Sequence, residues 1–344
     1  MKTKKISILG KTKEELEKLV TALDMKKFVA KQLMDWIYKK YQYKTKDFSN
    51  ISEENRQILE ENIEFEPLHL IEKIKSKEEN AIKLYFKCQD GQRLETVVLK
   101  EKNYNTLCVS SQCGCPLDCK FCVTGIVGFK RQLTKEEIIA QVLVANNIGY
   151  PITNIVFMGM GEPLLNYDQV LPAIHAISAE WGLNISKRKI TVSTAGYQPG
   201  IKRLMKENEV LNIAFSVGSV DPKKRLRLMP IEKRFPILEF SRVLWQYQQQ
   251  HNRKLTLEYT LLENVNDTPL DIKLLINLAK YLNAKVNLIN LNPHPKIPFK
   301  ELSIKKLRQL QKQVEESGVD VTIRYKKGQD IAAACGQLGE TLLE

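Results

Sequence analysis

Leu107-Cys108-Val109-Ser110-Ser111-Gln112-Cys113-Gly114-Cys115-Pro116-Leu117-Asp118-Cys119-Lys120-Phe121-Cys122 is the stretch on which the reading of the chain turns. It opens as a strand candidate, Leu107 to Ser111, and passes into a loop; together they hold five of the chain's seven cysteines. Cys115, Cys119 and Cys122 stand in the order C-x-x-x-C-x-x-C. Thiolates this close on a Gly- and Pro-bearing loop can converge on one soft metal centre, and soft sulfur ligands select an iron-sulfur cluster, zinc or Cu(I). Two occupants stay open on the loop alone. A tetrahedral zinc site would take Cys113 as its fourth thiolate, although such sites are usually built from two C-x-x-C-like pairs and there is no second pair. A cubane cluster held by three cysteines would leave one iron with an open position, where a substrate can bind.

Downstream of this loop the period of the sequence alternates. Strand candidates at 107–111, 154–159, 189–193, 212–216, 255–261 and 285–291 are followed by helix candidates at 134–147, 168–179, 200–207, 237–249, 270–282 and 304–316. The first helix opens on Thr134-Lys135-Glu136-Glu137, a capping box. β-α units in series predict a parallel sheet, doubly wound or curved into a partial barrel, with the active site at the carboxyl ends of the strands. The cysteine loop follows the first of those strands, so it belongs at that rim.

The other strand ends carry small and polar groups: Gly159-Met160-Gly161-Glu162-Pro163, Ser193-Thr194-Ala195-Gly196, Ser216-Val217-Gly218-Ser219 and Asn292-Pro293-His294-Pro295. Glycines allow close backbone approach and Glu162 can accept hydrogen bonds from an ammonium group. Together they suit an amino-acid-like ligand. Beyond the last helix, Val319 to Tyr325 reads as a further strand, leading to Cys335 in a run of small residues. On the residues alone, Cys335 and Cys108 read as two unrelated buried thiols.

Upstream, residues 12–62 read as three helices, Lys13 to Leu23, Val29 to Tyr41 and Glu53 to Glu61. In the second, Leu33, Trp36 and Ile37 read as core, while its lysines are a solvated face or phosphate contacts. Ala81 to Cys88 and Arg93 to Leu99 flank Gln-Asp-Gly-Gln, a hairpin signature. Glu95 reads as an exposed strand residue and Cys88 as a small buried hydrophobe. The formal net charge of +13 points to a polyanionic partner, nucleic acid above all. No apolar run is long enough to span a bilayer, and clustered cysteines fit a reducing compartment, so the expected location is the cytoplasm.

The C-x-x-x-C-x-x-C spacing resembles the radical S-adenosylmethionine (SAM) enzymes, whose open iron chelates SAM. The whole chain resembles the RlmN/Cfr family of radical-SAM RNA adenine methyltransferases. The likeness rests on Cys-Val-Ser-Ser-Gln-Cys-Gly-Cys at 108–115, Phe-Met-Gly-Met-Gly-Glu-Pro-Leu-Leu-Asn at 157–166, Leu-Met-Pro-Ile at 228–231 and Asp-Ile-Ala-Ala-Ala-Cys-Gly-Gln-Leu at 330–338. It implies an α/β fold, a partial (βα)6 TIM-like barrel, with a helical accessory RNA-binding domain at 1–75, a β-hairpin linker at 76–100 and a catalytic domain at 101–344. By the same resemblance Cys115, Cys119 and Cys122 hold a [4Fe-4S] cluster, and Gly161, Glu162, Ser193, Ser216, Val217, Gly218 and Asn292 bind SAM. Cys335 would be methylated by one SAM and then carry a methylene radical, generated with a second SAM, to an adenine carbon. Glu95 would take the ring proton, and Cys108 would attack Cys335 to free the base, leaving a disulfide.

The implied partners are 23S rRNA, tRNA and an external electron donor of flavodoxin type or similar; no membrane partner is expected, and a monomer is the expectation where the sequence itself is silent on oligomeric state. The segments 161–166 and 31–40 look like the branch that methylates adenine C2 rather than the one that methylates C8 and confers antibiotic resistance. One departure stands out. Where the family usually reads Ser-Leu-His, this chain has Ser216-Val217-Gly218, so no imidazole is present and only backbone remains at 218. A zinc-bound RNA-binding protein would explain the charge and the loop but not Cys335; a radical-SAM activase would explain the cluster but neither the thiol pair nor the basic surface.

Overall fold

The computed structural model describes residues 5–77, 80–324 and 326–339. Its main sheet has ten strands: β1 (Leu68–Lys75), β2 (Ala81–Cys88), β3 (Arg93–Lys100), β4 (Asn105–Cys108), β5 (Asn154–Phe157), β6 (Ile190–Thr194), β7 (Asn212–Ser216), β8 (Thr256–Leu261), β9 (Lys285–Asn290) and β10 (Val321–Arg324). They lie side by side in chain order, so no connection crosses another. From β4 to β10 every pairing is parallel, and from β1 to β4 every pairing is antiparallel.

The parallel half follows the alternation read from the sequence. Its helices are α4 (Lys135–Asn147), α5 (Tyr167–Ser178), α6 (Gln198–Lys206), α7 (Ile237–His251), α8 (Pro269–Tyr281) and α9 (Ile304–Glu316), numbered after three in the amino-terminal unit. Thr134 and Thr268 close capping boxes on α4 and α8, and Ser303 caps α9, which fixes where the helices leave the loops that follow the carboxyl ends of the strands. The strands bury Leu107, Ile155, Val192, Phe215, Leu257 and Leu288 against them, as a sheet covered on its outer face requires. The sheet curves, since residues of β4, β5, β9 and β10 line one cavity.

The amino-terminal unit packs α1 (Lys13–Ala22), α2 (Phe28–Met34) and α3 (Glu53–Asn62) on the same continuous core. The helix expected to run from Val29 to Tyr41 changes to a π-turn at Asp35–Lys39. That turn seats Trp36 on Phe48, ring centroids 5.6 Å apart, with its Nε1 donating to Asn50 Oδ1 at 2.6 Å. Leu33, Trp36 and Ile37 are core as expected, and Lys31, Lys39 and Lys40 are exposed.

The stretch placed before residue 75 in the helical unit ends in a strand. Leu68–Lys75 is the edge strand β1, paired along β2 with a bulge between Leu70 and Glu72. Its charged, exposed residues protect an open sheet edge. The 81–99 hairpin forms as read, but it extends the sheet rather than linking two bodies, because β3 pairs with β4 from Val97↔Cys108 to Lys100↔Asn105.

Candidate active site at the carboxyl rim

Two adjoining cavities open at the carboxyl ends of the parallel strands. The inner cleft is walled by Cys115, Cys122, Glu162, Ser193, Ser216 and Asn292 among others. The outer cavity, the roomier of the two, runs past Val97, Tyr104, Cys108, Lys326 and Leu338. Met158, Ile289, Asn292, Arg324 and Cys335 line both. A ligand in one is therefore within reach of a ligand in the other.

Local sequence shapes the cysteine loop. Gly114 has φ +77°, and a Cβ there would lie 1.7 Å from the Gly128 carbonyl oxygen, so only glycine lets the loop fold back on residues 128–131. The Cys115 N–H donates to that carbonyl at 3.2 Å, and Gln112–Cys113 pairs with Arg131–Gln132. Burial pushes the Cys115 thiol up to about 12. It also raises Cys119 and Cys122, and for Cys119 the charges of Cys122 and Cys115 add to the effect. Three thiols that oppose one another's ionisation are a donor set suited to a cation, which reverses that penalty. Among the described residues no three ligating side chains are drawn in to coordination distance. The donor chemistry fits an iron-sulfur cluster with three protein ligands. Cys113 is turned away, buried against Cys88 in mutual thiol contact.

The other rim residues build a polar cradle. Gly161, φ +101°, lets the chain pass Gln112, whose Oε1 accepts from the Glu162 N–H at 2.8 Å. Glu162 is buried, and its carboxylate accepts from the N–H groups of Leu164 (3.2 Å) and Ala195 (2.8 Å). Burial nevertheless raises its pKa to about 7. Ser193 Oγ and Ser216 Oγ lie 3.2 Å apart on adjacent strands. Asn292 donates to the Cys335 carbonyl at 2.8 Å, while its Oδ1 is buried without a hydrogen-bond partner. An orphaned acceptor, a carboxylate and two hydroxyls around one cleft suit the ammonium and ribose groups of SAM.

Cys335 is exposed, not buried, on a loop fastened at several points. The Val123 N–H donates to the Gly336 carbonyl (2.7 Å), Thr124 Oγ1 to that of Leu338 (2.7 Å) and Lys83 Nζ to that of Ala332 (2.9 Å). Cys108 is buried in the outer cavity with Cys335, and burial followed by the Cys335 charge pushes it up to about 12. The two thiols read as unrelated thus share one chamber.

Glu95 is not exposed. It is 1% exposed and ion-paired at 2.9 Å with Lys83, and it accepts from the Gly339 N–H at 2.9 Å. It lines neither cavity, although Val97, on the same strand face, does. Val217 is fully buried and outside the cleft, its N–H on the Glu258 carbonyl and its own carbonyl on Arg225 Nε. Gly218 does line the cleft, at φ +66°, and a Cβ there would fall 2.3 Å from Met229 Sδ.

Three residues escaped the sequence reading. Arg324 ends β10 and lines both cavities, Glu258 projects from β8 into the cleft, and Lys83 lies in mid-strand. The available signal was a charged residue inside an otherwise apolar strand, which the hydrophobic pattern treats as noise.

A curved parallel sheet with a three-thiol loop after its first strand and a polar cradle at the next strand ends defines a radical-SAM core. A model of the radical SAM superfamily matches residues 109–276, and one described as the ribosomal RNA large subunit methyltransferase N-terminal domain matches 6–65. A protein of Aquifex aeolicus named "Probable dual-specificity RNA methyltransferase RlmN" is 40% identical over 336 residues, 95% of each chain. One of Marinobacter nauticus, named "Dual-specificity RNA methyltransferase RlmN", is 38% identical over 97% of this chain and 92% of its own. The crystal structure of a radical SAM methyltransferase from Sphaerobacter thermophilus superposes with a TM-score of 0.93 at 34% identity, covering 97% of this chain and 99% of that one. The chain belongs to the RlmN family of radical-SAM RNA methyltransferases, whose cofactors are a [4Fe-4S] cluster and SAM. No helix among the described residues is long and apolar enough to cross a membrane.

Proposed function

We propose that the protein methylates C2 of one adenine in 23S rRNA and of an adenine beside the anticodon in some tRNAs, with Cys335 as the methyl carrier. The observation that carries this reading is the position of Cys335 at the junction of the cleft and the outer cavity, with Cys108 in the same outer chamber. A thiol at that junction can take a methyl group on one side and deliver it on the other.

In this reading Cys115, Cys119 and Cys122 hold the cluster. Glu162, Ser193, Ser216 and Asn292 hold SAM, with Gly161 and Gly218 contributing backbone. The cluster, when bound, supplies the electron that cleaves SAM. An adenine ring carbon in an amidine is not nucleophilic, so direct displacement on a SAM methyl group fails there and a protein-borne carbon is needed. Glu95 takes the ring proton once RNA binding opens its contacts with Lys83 and the Gly339 N–H, which otherwise close it off. Cys108 then frees the base from Cys335, and an external reductant of flavodoxin class or similar reopens the disulfide. The exposed lysines of the amino-terminal unit, Lys31, Lys39 and Lys40, meet RNA phosphates in a cytoplasmic, monomeric enzyme.

Mass spectrometry of nucleosides from rRNA and tRNA of a strain lacking the gene, restored with the wild type or Cys335→Ala, tests this. The wild type should return 2-methyladenosine to both pools and the variant to neither. 8-Methyladenosine in the rRNA pool would move the protein to the other branch of the family.

A further inference from the structure

Among the described residues Arg324 is the one cation that lines both cavities. The cleft's other charged wall residues are Glu162 and Glu258; those of the outer cavity are Glu101, Lys326 and Lys327. Each of these lysines already has a carboxylate, Lys326 on Glu301 and Lys327 on Glu101. Arg324 does not hold its own as closely. Its Nη1 stands 3.7 Å from Glu258 Oε2, beyond hydrogen-bond length, and that oxygen makes no hydrogen bond. Nη1 lies instead 3.2 Å from the sulfur of Met158, which also lines both cavities.

The guanidinium thus shares the outer cavity with Cys108 and both cavities with Cys335. Its own pKa is raised, first by the charge of Cys335, then by Glu258 and Cys108 against the opposing effect of burial. Cys108 needs such a neighbour. Thiol exchange proceeds through the thiolate, and burial in an apolar wall disfavours that form.

We propose that Arg324 is a positioning residue that stabilises the Cys108 thiolate for the step releasing methylated RNA. This rests on the reading of Cys335 as methyl carrier. In that step the thiolate electron pair of Cys108 forms the bond to the Cys335 sulfur. The bond from that sulfur to the methylene carbon on adenine breaks, its pair goes to carbon, and the carbon takes one proton to become the methyl group. A disulfide and a neutral methylated base result. Glu258 tempers the guanidinium on the side away from Cys108, and Glu101, Lys326 and Lys327 neutralise one another or Glu301 at the mouth.

The test follows alkylation of Cys108 by iodoacetamide against pH, read by peptide mass spectrometry on the full chain, for the wild type, Arg324→Gln and Arg324→Lys. With Gln the midpoint should rise so that alkylation at a fixed pH below it slows by roughly tenfold, the effect of one lost neighbouring charge. Lys should restore most of the rate. With RNA and SAM supplied under reducing conditions, Arg324→Gln should accumulate a covalent RNA-protein adduct that clears faster as pH rises. A wild-type midpoint in a folded Arg324→Gln protein, checked by its melting curve, overturns the inference, as does turnover without adduct. A shifted midpoint in a protein whose wild type makes no methyladenosine removes the methyl-carrier reading and the releasing step with it.

Discussion

Two cation-carboxylate pairs sit about the same Cys335-bearing loop, and they are built differently. Lys83 and Glu95 face each other at 2.9 Å, both essentially inaccessible, and their remaining capacity is taken by the Ala332 carbonyl and the Gly339 N–H. Arg324 and Glu258 stand 3.7 Å apart with an unbonded carboxylate oxygen between them, and the guanidinium side chain is 28% exposed toward the cavities. The first pair spans from the antiparallel extension to the two ends of the Cys335 loop. The second lies in the parallel half, between the middle of β8 and the end of β10. Closed geometry around a buried charge goes with holding a segment in place; open geometry goes with a charge available to something that comes and goes.

The largest effect should come from breaking the closed pair. Lys83→Met strands a buried carboxylate and is expected to cost roughly 3–5 kcal/mol in urea unfolding, whereas Arg324→Met should cost about 1 kcal/mol or less. The double variant Lys83→Met with Glu95→Leu should regain most of the loss, because no charge is then left unpaired. Equal losses for Lys83→Met and Arg324→Met would erase the distinction.

Glu162 sharpens the comparison as a third case, a buried carboxylate in no ion pair among the described residues. Its folded pKa, near 7, lies above the ordinary carboxyl value because burial disfavours the charge. In that interval the folded state binds a proton that the unfolded state has lost, so stability is full below about pH 4.5 and falls as pH rises through 7. The loss is up to roughly 3 kcal/mol, and Glu162→Gln should flatten it. SAM reverses the sign. An ammonium group is held by the ionised carboxylate, so affinity should climb between pH 6 and 8, and Glu162→Gln should weaken binding by about 1.5–3 kcal/mol by calorimetry. A pH-independent affinity would place the ammonium elsewhere.

What the sequence displayed of all this follows from what leaves a local mark. The cysteine spacing, the strand-end glycines and Thr134 impose backbone or ligand geometry within a few residues, and they fall where expected. So do the alternating strands and helices, because burial on one face writes a period. Glu95 and Cys335 were misplaced in exposure for the opposite reason. Glu95 is buried by residues some 240 positions away, at Gly339, and a strand cannot show in its own pattern that a distant turn will cover it. The π-turn at Asp35–Lys39 keeps the helical apolar spacing and differs only by one inserted residue per turn, which the pattern does not register. Arg324 and Lys83 are charges in strands, visible as letters but without meaning until the sheet curves and brings β10 beside β4.

The smallest expected effect comes from loosening the open pair further. Glu258→Gln keeps the acceptor that takes the Asn287 amide, now 2.9 Å away, and removes only the charge facing Arg324. Stability should move by less than about 1 kcal/mol, since the lost oxygen had no hydrogen bond to lose. Cys108 would then face a guanidinium no longer tempered by a carboxylate. Its alkylation at fixed pH should quicken by roughly twofold, as expected for a charge acting past its neighbour in a half-screened site. Slower alkylation would mean that Glu258 holds the guanidinium toward Cys108 instead of drawing it away. The open pair would then be a positioning device as firm as Lys83 and Glu95, and hydrogen-bond length would no longer separate the charges that hold the loop from those that serve its thiols.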